Sequence, residues 1–208
     1  PGSLSEAVSL LEEAHHGAPG DAEIALELAE IHRLYEAPPR PERGLGVLDE
    51  VVKTREAAVG KAETASARAE AVKALAEARL ARFSFLSAWA GSESVRQKSQ
   101  ERLDQASQEL QLALAEAPDD PEVLLTAAEF HSQHGHPRDA RKYLEKAEGQ
   151  ELGERERLRA RLAKGIVELG ANRYEEAIES WREGLKAVGG TDAGLNWRLA
   201  YILLQQGR

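Results

Sequence analysis

The sequence contains neither cysteine nor methionine among its 208 residues. Without thiols there is no disulfide framework and no cysteine-ligated zinc site, and the compartment stays open between cytoplasm and bacterial periplasm. An excess of positive charge is also lacking: the formal net charge is −9. Binding to phosphate backbones needs a basic stripe, so nucleic acid is excluded as a default partner. Apolar runs fall far short of the ~20 residues of a membrane span, and there is no charged-then-apolar leader, so this fragment is not expected to insert into a membrane. Catalytic motifs are missing too. Gly44-Leu45-Gly46 is only a loose match to a phosphate loop, there is no nucleophile elbow, and no strand offers itself to display one. The many glutamates sit on solvated faces where no pKa shift is expected. These residues argue against an enzyme and imply no cofactor. The start Pro1-Gly2-Ser3, in a chain without methionine, is expected to be a cloning remnant (1–3) on a piece excised from a longer protein.

What the sequence does contain is a recurring pair of short helical patterns, clearest from Pro118 to Ala147. Asp119-Asp120-Pro121-Glu122 is a helix start, with an Asp cap, Pro in the first turn and an acid near the positive end of the dipole. Leu124, Ala127, Ala128 and His131 follow at i, i+3, i+4 and i+7, a single helical stripe. Gly135-His136-Pro137 stops that helix. A second helix, from Arg138, carries Ala140, Leu144 and Ala147 on one face. The small residues Ala128 and Ala140 let the two helices approach closely.

The second half of the pattern recurs at fixed spacing. Ala106, Leu110, Ala113 and Pro118 are separated by 4, 3 and 5 residues, as are Ala7, Leu11, Ala14 and Pro19. Ala106 to Ala140 and Ala113 to Ala147 are both 34 residues. The first half recurs around Leu28-Ala29-Glu30, Leu75-Ala76-Glu77 and Ala127-Ala128-Glu129. This 34-residue helix–turn–helix period, with its small, small, large and Pro positions, resembles the tetratricopeptide repeat (TPR) family. The departure is at the first large position, where Ala25, Val72 and Leu124 replace the family's Trp. The resemblance implies an all-α, right-handed α-solenoid of stacked antiparallel helix pairs, with first helices lining a concave groove.

The chain divides on this pattern into a second-helix half repeat (4–20), repeats at 21–60, 61–118, 119–153 and 154–190, and a truncated first-helix half repeat (191–208) that stops at Gly207. Two repeats are overlong. Val51 to Val72 is 21 residues where the pattern needs 11, with Gly60 the expected break. Arg79 to Ala106 is 27 instead of 9. That insertion reads as a pair prolonged into a protruding hairpin with its tip near 91–94. Each helix gains about nine residues, a projection of roughly 13 Å at the α-helical rise of about 1.5 Å per residue. At the chain's end Tyr201, Leu203 and Leu204 are expected to be partly uncovered.

Three sets of residues are candidates for recognition. Glu23, Glu27, Glu30, Glu77, Glu122 and Glu129 fall on first helices, where carboxylates on one surface favour a basic peptide or cationic helix. Arg157, Arg161 and Lys164 predict a basic end to the same groove. Phe83, Phe85, Leu86 and Trp89 concentrate aromatic mass on the hairpin, as an interface for a partner or homodimer, or as a seal against Val95 and Leu103. The Lys/Asn/Arg set with which some TPR proteins clamp a C-terminal carboxylate is not matched, its places being held by Leu26, Glu30, Lys73, Glu77, Leu125 and Glu129. His131, His134 and His136, with Glu129, and the pair His15-His16 do not fix the three or four convergent ligands of a zinc site, so no metal is expected. The family resemblance thus implies a non-catalytic scaffold that binds a protein or peptide partner. A self-associating module, acting through the aromatic hairpin or uncapped ends, is the alternative. An accessory subunit of a bacterial polysaccharide synthesis or export machine is a third reading, by analogy of fold. Richness in Ala, Arg, Gly and Pro suggests a bacterial source.

Overall fold

A computed structural model describes residues 4–205, so both the Pro-Gly-Ser start and the stop at Gly207 lie outside the described residues. The described chain is all-α and forms two compact units, 1–118 and 119–208.

The first unit contains α1 (Leu4–Gly17), α2 (Ala22–Leu34), α3 (Pro41–Lys61), α4 (Ala65–Ser92) and α5 (Arg96–Glu116). Asp21 caps α2 by accepting from the backbone N–H of Glu23 and Ile24, each at 3.0 Å. The stripe Ala25, Leu28, Ala29 and His32 is then buried. Pro41 opens α3 at a position where a missing N–H is harmless. Gly44 is where α2 and α3 meet: a Cβ there would lie 2.6 Å from the Ala29 carbonyl oxygen and 3.0 Å from Phe85 Cζ. The extra residues after Val51 prolong α3 as helix. The break falls at Ala62–Thr64 rather than at Gly60, because Thr64 caps α4 by accepting from the Ala67 N–H.

Helix α4 is 28 residues long and packs against α3, α5 and α2. Neighbours on several sides explain why its buried residues are not confined to one stripe. They include Arg79, whose Nε donates to both Glu116 carboxylate oxygens (2.8 and 2.9 Å), Nη1 to Glu109 (3.3 Å) and Nη2 to Glu56 (2.9 Å). Arg82, one turn on, pairs with Asp49 (2.7 Å) and with Glu109. Carboxylates from α3 and α5 thus compensate two cations carried by α4.

The hairpin is prolonged as expected, but its outer turns do not stand clear. Phe83, Phe85, Leu86 and Trp89 are 8, 0, 0 and 6% exposed, so they are core and not a surface knob. Phe85 reaches Gly44, Trp89 meets Phe85 edge to face at 6.0 Å, and Arg102 covers the Trp89 ring at 4.0 Å. At the tip, Arg33 Nη1 of α2 donates to Ser92 Oγ (3.3 Å). The reason is length: α4 outruns α3 and so reaches the end of α2.

The second unit contains α6 (Pro121–Gln133), α7 (Pro137–Glu148), α8 (Glu154–Gly170), α9 (Tyr174–Ala187) and α10 (Ala193–Gln205). Asp120 caps α6, and Gly135, at φ +79°, makes the turn into α7. Ala140, Leu144 and Ala147 are buried on α7, as their spacing predicts. Trp181 fills the space between α8 and α9, its Nε1 donating to the Leu162 carbonyl (3.2 Å). It forms a core with Ala177, Ile178, Leu195, Leu199 and Ile202. The outer side of α10 is apolar and uncovered: Trp197 (65% exposed) stacks on Tyr201, with Leu204 one turn further. Leu203, by contrast, is half-buried against the core.

Candidate functional site

In the first unit the candidate glutamates belong to α2 and α4, which pack side by side. The buried stripe Ala25, Leu28, Ala29 and His32 turns the rest of α2 outward, which leaves Glu23 and Glu27 exposed. Glu77 of α4 is exposed as well. Glu30 is already engaged, by Nε (2.9 Å) and Nη2 (2.5 Å) of Arg33. Lys73 is exposed on α4 one turn before Glu77.

In the second unit α6 packs against α8, and the candidate carboxylates there are not free. Arg159 of α8 pairs with Glu122, lies 3.7 Å from Glu129, and donates from Nη2 to Thr126 Oγ1 at 2.8 Å. Thr126 in turn donates to the Glu122 carbonyl (2.8 Å). Burial lifts the Glu129 carboxyl to about 7, against the opposing pull of Arg198 of α10. Burial likewise lowers the Arg159 guanidinium, with Asp120 opposing. An acidic row read along α6 is therefore, in three dimensions, either paired with Arg159 or held toward its neutral form by burial.

The basic residues expected beside it are elsewhere. Lys164 faces α7, 3.8 Å from Glu148. Arg161 leans on α9, its Cβ 3.7 Å from the place a Cβ would take at Gly184, and Arg157 is exposed. Arg157, Arg161 and Lys164 share one stripe at i, i+4 and i+7. Arg159 comes two residues after Arg157, roughly 200° around the helix. The run Arg155–Arg161 alternates arginine with other residues, and only the choice of stripe separated the partner of α6 from its neighbours. Arg159 is the residue that this choice missed, and Arg198 of α10 lies outside that run. The six histidines do not converge either: among the described residues no group of three or more His, Asp or Glu side chains is placed to hold a metal ion. Nor is any described helix long and apolar enough to cross a membrane.

Residues 98–165, which run from α5 into α8, match the family model for the tetratricopeptide repeat. Over that stretch the chain carries tetratricopeptide-repeat sequence. The matched span holds two of the 34-residue periods, including the α6–α7 pair. A solved structure similar over its length is that of TTC0263, a thermophilic TPR protein of Thermus thermophilus. It is 21% identical, with a TM-score of 0.57, and the match covers 97% of this chain and 91% of that one. At that identity the likeness concerns the fold alone. No curated protein matches the sequence. TPR proteins generally mediate protein–protein interactions and are typically non-catalytic.

Proposed function

We propose that this TPR chain is a non-catalytic scaffold and that the α2/α4 side of its first unit takes a basic segment of a partner protein. The observation that carries this reading is the exposure of Glu23, Glu27 and Glu77 on two adjacent first helices. Carboxylates left in water by their own chain lose little on meeting a cation and give specificity by charge. The α6/α8 side is the poorer choice for a basic ligand, because Arg159 already answers Glu122 and Glu129.

The test is a titration of the protein with a lysine-rich decapeptide, read by fluorescence anisotropy and by amide chemical shifts. Glu27→Lys/Glu77→Lys should weaken binding at least tenfold, with shifts mapping to α2 and α4. Glu179→Lys/Glu183→Lys, the same charge change on the exposed side of α9, should leave it unchanged. Equal losses in both variants would reduce the attraction to net charge and overturn the assignment.

Self-association is a second reading, favoured by the stacked and exposed Trp197–Tyr201 pair with Leu204. It moves from the hairpin to α10, since the hairpin aromatics are buried. Light scattering across a concentration range, with Trp197→Ala/Leu204→Ala, decides it: a concentration-independent monomer mass in the unmodified chain removes the reading.

A further inference from the structure

The second unit holds a cleft that the TPR reading does not use. Pro137, Arg138, Arg141, Lys142 and Glu145 of α7 line one wall, and Ala171 and Arg173 of the α8–α9 turn line the other, around a volume of about 530 Å³. Four of these seven residues are cationic, in a chain whose net charge is −9.

Behind the wall lies Glu168, 8% exposed. It accepts from Arg141 Nη2 (3.2 and 3.5 Å) and is 2.6 Å from Arg173 Nε. One buried carboxylate thus orients two guanidinium groups without exhausting them, since each guanidinium carries five N–H donors. Arg173 keeps 37% of its side chain in contact with solvent, and an incoming oxygen anion meets it there in a charge-assisted hydrogen bond. Lys142 is held by Asp139 (2.9 Å), whereas Arg138 is exposed at the mouth. The remaining wall is Pro137, Ala171 and the methylene stems of the basic residues, which suits a peptide backbone running past them.

We infer that this cleft docks an acidic segment of a partner protein, its side-chain carboxylates meeting Arg138, Arg141 and Arg173. A protein ligand is favoured over a small anion because the cleft is open and large, and its cations are spread along α7 and the facing loop. One carboxylate would reach only part of them. This site belongs to the second unit and takes a ligand of the opposite sign to that of the α2/α4 side, so either can fail alone.

The experiment titrates the whole chain with a glutamate decapeptide, with glutamine and lysine decapeptides and inorganic phosphate as comparators. Amide and arginine Nε–H shifts are read, with each variant's thermal melt alongside. The glutamate peptide should bind at least tenfold more tightly than the glutamine one at low salt, shifting Ala171 and the Arg173 Nε–H, and should weaken steeply as salt rises. Arg138→Glu, at the exposed mouth, should abolish binding without moving the melt, and Arg182→Glu on α9 should leave binding unaltered. If Arg173→Gln lowers the melt, Arg138→Glu alone decides. Equal loss in Arg138→Glu and Arg182→Glu, shifts away from the cleft, or binding of phosphate but not of the peptide each overturns the inference.

Discussion

Gly165 and Trp181 are in such close register that a Cβ on the glycine would lie 2.0 Å from the indole Nε1. No side-chain carbon fits there. Glycine lets α8 come down on the ring of α9, and the indole N–H then reaches the Leu162 carbonyl in the same turn.

Gly165→Ala should therefore destabilise the second unit by about 3 kcal/mol, the upper range for an overpacked core, because the ring must move and lose its acceptor. Urea unfolding followed by far-UV circular dichroism measures it. A loss under about 1 kcal/mol, the lower range for overpacking, would mean that the ring has another place to go.

Phe85→Ala should cost about 3–5 kcal/mol, the usual range for emptying a buried aromatic site. It should leave the molar mass in solution unchanged, since Phe85 is fully enclosed by its own chain. A change of mass without a change of stability would return the aromatic hairpin to the role of an interface.

Arg79→Ala should be severe in a different way. It deprives Glu116, whose carboxyl is already lifted by burial, of its guanidinium partner, and leaves Glu109, which is 5% exposed, to Arg82 alone. Breaking one side of a buried ion network costs about 3–5 kcal/mol. Part of that loss should return at acid pH, where the Glu116 carboxyl, already lifted by burial, takes up its proton. A loss that is flat with pH would show that packing, and not charge, holds the site.

The pH dependence of stability has a second source in Glu129. Its carboxyl is raised from 4.5 to about 7 in the folded protein. Between those values the folded state keeps a proton that the unfolded state releases, so stability falls as pH rises through the window. The effect is about 1–3 kcal/mol, moderated because a quarter of the side chain still meets solvent. Glu129→Gln should flatten that fall between pH 4.5 and about 7. Parallel profiles for the two proteins would place the charged form of Glu129 in a firm pair with Arg159.

The helix pairs were legible from the sequence because their signals are local. Asp21, Asp120 and Gly135 act within a few residues of where they stand, and the stripes of α2, α6 and α7 follow from a 3.6-residue turn. The candidate sites were less legible because their partners are distant in the chain. Arg159 meets Glu122 from 37 positions away, and nothing in either helix alone states that pairing. Phe83, Phe85, Leu86 and Trp89 looked like an excess of aromatic surface for one hairpin. The excess vanished once α2 and α3 were found alongside it.

The Arg79 network also limits how the first unit can move. A guanidinium that holds carboxylates of α3 and α5 at once behaves like a pin through three rods. Sliding α4 by even one turn, about 5.4 Å, would withdraw it from both neighbours together. The three helices then shift as one block, and the connection that leads into α2 goes with them, because Arg55 of α3 donates from Nε to the Gly20 carbonyl (2.7 Å).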